Sequence, residues 1–173
     1  MSKMQQSWIL IGMMGAGKSM VGRELAKLSG RSFADTDVLL QNRFGRPVSQ
    51  IFATYGEQTF RDHETSILRE MQPEGMVLAT GGGIILREEN WRHMRRIGLI
   101  IYLDVPRERL IERLTVSRKK RPLLEVEGWE QRFDEILESR LPIYRQADLC
   151  MPIDRDNSAQ VAQALLTKLE KMK

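Results

Sequence analysis

Short apolar runs alternate with longer segments of helical periodicity along the 173 residues. Trp8 to Ile11, Val77 to Ala79 and Leu99 to Leu103 are unbroken apolar stretches of strand length, the pattern of strands covered on both faces. Ser32 to Ala34 and Leu149 to Ile153 are weaker runs of the same kind. Between them lie helix-forming segments: Lys18 to Leu28, Trp129 to Arg140, and a closing one in which Val161, Leu165, Leu169 and Met172 recur at helical spacing. This alternation predicts an α/β protein of three αβα layers, with about five parallel strands between helices. There is no internal repeat, and the whole of 1–173 reads as one domain. Two regions break the rhythm. Gln41 to Met71 is largely helical and longer than a simple crossover, so about 35–64 reads as a substrate-binding insertion. Val116 to Gly128 is charged, with Pro122 in its middle, and a flexible lid is expected over about 114–127.

Composition narrows the class. Apolar residues at 42% and charged residues at 29% suit a globular domain with its own core. Cys150 is the one cysteine, so no intrachain disulfide forms, which agrees with a cytoplasmic location. Met1 to Ser7 lacks the features of a signal peptide, and no apolar run reaches the roughly 20 residues of a membrane span. The net charge of +4 fits either a nucleic-acid surface or a few arginines around a small anion. Aromatic residues make up only 6% and no nucleic-acid motif is visible, which favours the small anion.

Gly12-Met13-Met14-Gly15-Ala16-Gly17-Lys18-Ser19 fits G-x-x-x-x-G-K-S between a strand and a helix. Glycines let the backbone curl so that N–H groups converge on phosphate oxygens, and the helix N-terminus adds partial positive charge. Lys18 is expected to reach the β- and γ-phosphates of a nucleotide, and the Ser19 hydroxyl to ligate Mg²⁺. This loop alone does not separate a kinase from a GTPase or an ATP-driven motor.

Other constellations point to an acceptor. Asp35 and Asp37 close the second strand, where α/β sheets bind ligands. One carboxylate would hold a hydrated metal and the other accept substrate hydroxyls; a helix N-cap at Asp37 is the plainer alternative. Arg61 and Glu64, three apart after Gly56, share a helix face and form either a rigid carboxylate clamp or a surface ion pair of little worth. Phe52 and Phe60 belong to the pocket wall or the core; His63 and His93 read as surface residues. Gly81, Gly82 and Gly83 end the third apolar run and permit close backbone approach to a ligand. In the lid, Arg118 to Arg121 is a basic run in which Arg121 would swing over the phosphates. Arg140 would be a second clamp.

Taken together, G-M-M-G-A-G-K-S, F-A-D-T-D, I-F-A-T-Y-G-E-Q-T-F-R-D-H-E, A-T-G-G-G, R-P-L-L and S-R-L-P-I-Y resemble the shikimate kinase family in order and spacing from about residue 7 to residue 157. The resemblance implies a P-loop kinase fold and ATP-dependent phosphorylation of the shikimate 3-hydroxyl. It implies ATP contacts at Gly15, Ala16, Gly17, Lys18, Ser19 and Met20, with Arg113 and Asn157 beside adenine. It implies that Asp37 binds ring hydroxyls, that Arg61 and Arg140 hold the carboxylate, that Glu64 orients Arg61, and that Gly81 to Gly83 pack against the ring. Lys18, Asp37, Asp35 and Arg121 would carry catalysis, with Asp37 preferred over Asp35 as proton acceptor. Where P-loop kinases often end the third strand in a metal-assisting acid this chain has none, which leaves that role to Asp35, through water. The expected partners are ATP and shikimate, with no nucleic acid or membrane, and the chain is expected to be a monomer. The alternatives are a related small-molecule kinase, such as one for gluconate, and a nucleotide-regulated nucleic-acid-binding protein using Arg118 to Arg121.

Overall fold

A computed structural model of the chain describes residues 6–117 and 121–172. In chain order the elements are β1 (Ser7–Ile11), α1 (Lys18–Ser29), β2 (Phe33–Asp35), α2 (Thr36–Phe44), α3 (Val48–Glu70), β3 (Val77–Ala79), α4 (Glu88–Ile97), β4 (Gly98–Asp104), α5 (Arg107–Val116), α6 (Trp129–Tyr144), β5 (Leu149–Pro152) and α7 (Ser158–Lys171). The five strands form one sheet in the order β2-β3-β1-β4-β5, and every pairing is parallel. The β-rich run of β1 lies at the centre and is buried along its whole length, with Trp8 opposite Val77 on one side and Leu99 on the other. Continuous apolar strands are what a sheet covered on both faces demands.

The chain leaves β1 for β2 and β3 on one side, then crosses to β4 and β5 on the other. The order therefore reverses at β1, and the crevice beyond its carboxyl end is the place where such sheets bind ligands. Because all strands are parallel, Ile11, Asp35, Ala79, Asp104 and Pro152 end at the same edge.

The main core surrounds the sheet, with α1 packed against α7. A second, smaller cluster of Leu40, Ile51, Phe60 and Ile67 sits between α2 and α3. The predicted insertion thus carries its own apolar support. Gly56 interrupts α3 with φ 82° and ψ 168°, a conformation suited to a residue without Cβ, so the helical stretch from Glu57 is a separate segment set at an angle to the first.

The stretch expected to be a lid begins within a helix. Residues 114–116 belong to α5, because Leu114 is buried in the main core behind the phosphate loop. Pro122 to Leu124 forms a 3₁₀ turn, and Leu123 and Leu124 are partly buried against that core, so this end of the stretch is anchored by apolar contact. Arg118, Lys119 and Lys120 lie outside the described residues. Among the described residues no helix is long and apolar enough to cross a membrane.

Leu10 in β1 is fully buried and faces the junction of α1 with β2. Leu10→Ala is expected to cost about 2–5 kcal/mol, read as a fall in the urea midpoint at constant slope.

Candidate active site

The phosphate loop follows β1 directly. Gly17, with φ 85°, turns the chain into α1, so Lys18 and Ser19 stand in the first helical turn. The Lys18 ammonium is buried and donates to the carbonyls of Gly12 at 2.8 Å and Met13 at 3.0 Å, which holds it over the loop. The Ser19 hydroxyl donates to the Asp35 carboxylate. The other Asp35 oxygen accepts from the Asp37 backbone N–H at 2.9 Å, so Asp35 rather than Asp37 is the N-cap of α2. The reason lies in the strand end: Asp35 is still extended, and its side chain can turn back onto the first helical turn. Asp37, one residue into α2, lines the cleft instead.

The three glycines after β3 are explained by what their missing Cβ atoms would strike. A Cβ on Gly81 would lie 2.8 Å from Glu64 Oε1 and 3.1 Å from Asp37 Oδ1. One on Gly82 would lie 3.6 Å from an Arg140 nitrogen, and one on Gly83 would lie 2.5 Å from the Arg61 guanidinium carbon. Asp37, Glu64, Arg61 and Arg140, drawn from three helices, therefore converge on one bare stretch of backbone. The turn is itself held: Thr80 Oγ1 donates to the Leu10 carbonyl at 2.8 Å, Gly81 N–H donates to Thr36 Oγ1 at 3.0 Å, and Tyr144 Oη donates to the Gly82 carbonyl at 2.5 Å.

Arg61 and Glu64 form a buried pair rather than a surface one, at 2.7 Å with Glu64 fully enclosed. Arg61 also meets Glu57 at 3.3 Å and lies over Phe60 and Phe52, which serve as cleft wall and as support for the smaller core. Burial pushes the Glu64 carboxyl above its ordinary range, and the Arg61 charge opposes that rise. Glu64 Oε1 and Arg61 Nε have no hydrogen-bond partner among the described residues. Arg140 is buried beside the same turn.

At the other end, Arg113 donates to the carbonyls of Gly15 at 3.2 Å and Ala16 at 3.3 Å and pairs with Asp156 at 3.2 Å. Arg109 reaches the same Asp156 oxygen at 2.8 Å. Arg113 thus sits against the phosphate loop and lines the cleft, as do Gly15 to Met20. Asn157 stands between Asp156 and Ser158, which line the cleft, and its side chain caps α7, accepting from the N–H groups of Ala159 and Gln160. Arg121 meets Ser117 Oγ at 3.2 Å, and both border the cleft. His63 is half-buried edge-on to Phe44 rather than on the surface, and His93 pairs with Glu89. One cleft of about 640 Å³ joins the two ends.

Sequence reasoning passed over Tyr144 and Asp156. Tyr144 stands one helical turn after Arg140, a spacing that puts both on one face. Asp156 is the acid beside Asn157, and it is the residue of that turn that reaches Arg113.

The shikimate kinase family model matches residues 14–170. A shikimate kinase of Thermodesulfovibrio yellowstonii is 37% identical over 165 residues, covering 95% of each chain. One of Pasteurella multocida is 40% identical over 166 residues, covering 94% of each. Among solved structures, shikimate kinase from Acinetobacter baumannii in complex with shikimate has a TM-score of 0.92 at 38% identity, covering 97% of this chain and 94% of that one. A gluconokinase from Sinorhizobium meliloti, with a TM-score of 0.53 at 15% identity, shares the fold alone. Matched by its family model over residues 14–170 and by relatives 37–40% identical over nearly the full chain, the protein belongs to the shikimate kinase family.

Proposed function

We propose that the chain transfers the γ-phosphoryl group of ATP to the 3-hydroxyl of shikimate, giving shikimate 3-phosphate and ADP on the route to chorismate and the aromatic amino acids. The observation that carries this is the pairing, within one cleft, of a phosphate loop with two buried guanidinium groups around a bare glycine turn. The first grips a polyphosphate; the second suits a small, hydroxylated carboxylate. The relatives named above support the same reading.

The roles follow from position. Gly15 to Met20 take the nucleotide phosphates, with Lys18 on the β- and γ-groups and Arg113 on the adenine side. Arg61 and Arg140 take the shikimate carboxylate, Glu64 fixes Arg61, and Asp37 accepts from ring hydroxyls across Gly81. The acceptor oxygen attacks the γ-phosphorus in line, the bond to the β–γ bridging oxygen breaks, and the hydroxyl proton passes to Asp37. Asp35 accepts from Ser19 and from the Asp37 N–H at the metal side, whereas the Asp37 carboxylate lines the cleft beside Gly81, where the ring hydroxyls would lie. Lys18 and Arg121 stabilise the charge that develops on the transferred group. The Ser19 hydroxyl beside the Asp35 carboxylate is a hard-oxygen donor set that fits Mg²⁺, with Asp35 acting through water. When bound, the ion would neutralise phosphate charge.

Coupled ADP release with shikimate, gluconate and a nucleoside monophosphate side by side is the direct test. Turnover with shikimate is expected; stimulation by gluconate alone would overturn the assignment. Lys18→Ala should lower kcat by roughly a hundredfold or more. Arg61→Ala should raise the shikimate KM by about ten- to a hundredfold, the loss of hydrogen bonds to a charged group, with the ATP KM nearly unchanged. Gly83→Ala should act in the same direction, since its Cβ displaces the Arg61 guanidinium. The proposal extends to a cytoplasmic monomer with no nucleic-acid or membrane partner, for which sedimentation should give one species near 20.0 kDa.

A further inference from the structure

Tyr144 is buried beyond any contact with solvent, yet it is not part of the chemistry described above. Its ring stacks on Tyr102 of β4 with centroids 5.1 Å apart and planes within 4°. Its hydroxyl donates to the carbonyl of Gly82, the middle residue of the glycine turn, at 2.5 Å. Burial raises the phenol to about 12, so the hydroxyl keeps its proton throughout the working range.

The placement is specific. Arg140 and Tyr144 are four residues apart on α6, so one helix face delivers both the second guanidinium and the donor that holds the turn beneath it. Flanking glycines bear on the remaining charged groups: Gly81 on Glu64 and Asp37, Gly83 on Arg61. With no side chains to anchor it, this backbone depends on its hydrogen bonds to keep its place. Tyr102 does not share that task, because its hydroxyl points to Asp104 at 3.1 Å instead.

We infer that Tyr144 is a positioning residue for the acceptor half of the reaction: its hydroxyl holds Gly82 at the depth where Arg61, Arg140, Asp37 and Glu64 close on a single ligand. It acts through the turn and through Arg140, whose side chain also hydrogen-bonds to it, and touches no reacting atom. The inference rests on the shikimate reading above and adds a residue to it.

The test is steady-state kinetics of Tyr144→Phe beside Tyr102→Phe and Arg61→Ala, with thermal melting of each. Both Phe variants lose one buried hydroxyl and keep the stacked rings. Tyr144→Phe is expected to raise the shikimate KM by roughly three- to tenfold, the worth of one lost hydrogen bond, with the ATP KM unchanged. Tyr102→Phe should leave the shikimate KM as it is. An unchanged shikimate KM in Tyr144→Phe overturns the inference, as does a parallel rise in both KM values with a lowered melting point, which marks a general structural role. If wild-type enzyme fails to turn over shikimate, or Arg61→Ala leaves its KM unmoved, the acceptor reading itself falls and takes the inference with it. If Arg61→Ala behaves as expected and Tyr144→Phe does not, only the inference falls.

Discussion

Three consecutive residues without side chains allow charged groups from α2, α3 and α6 to meet over backbone at the end of β3. A methyl group on Gly83 would occupy the place of the Arg61 guanidinium, and one on Gly81 would press on Glu64 and Asp37. This end of the cleft is therefore defined as much by omitted atoms as by the charges it gathers. Burying those charges is costly unless each is compensated, and the structure compensates them mutually. Glu64 answers Arg61 at 2.7 Å, and Phe60 and Phe52 flank the guanidinium. The small apolar cluster between α2 and α3 packs beneath the pair, with Phe60 shared between them.

The phosphate end depends on different means. There the backbone itself is the ligand, turned by glycines and followed by a helix N-terminus, while Lys18 is folded over the loop carbonyls. Arg113 braces the same loop from α5 and is in turn held by Asp156 from beyond β5. Each half of the cleft is thus supported from behind by residues distant in sequence, and the sheet supplies the common frame.

Much of this was legible beforehand because it is local. Unbroken apolar runs at Trp8 and Leu99 signal strands buried on both faces, and the spacing of Gly12, Gly17, Lys18 and Ser19 carries its own chemistry. What escaped depends on contact between distant segments. The alternatives of a surface ion pair or a buried clamp for Arg61 and Glu64 differ only in tertiary burial, which an i,i+3 spacing does not encode. The cap of α2 went to Asp35 instead of Asp37 because helix boundaries depend on where a strand stops. The cap that Asn157 gives α7 and the long-range contact that Asp156 makes with Arg113 are likewise tertiary facts. The charge pattern around 114–127 hides Leu114, whose packing is visible only once α5 lies against the phosphate loop.

Parallel strands put the cleft-forming loops at one edge of the sheet, and the connections at the other edge supply no residue to the cleft. Residues 30–32, 71–76 and 145–148 join helices back to strands there. Their polar groups tie neighbouring segments together, as when Arg31 ties Gln6 to Gly75 or Asp148 accepts from the Ile100 N–H. An epitope, a fluorophore or new chain termini introduced by circular permutation belongs on that side, where the chain can be reopened far from both substrates.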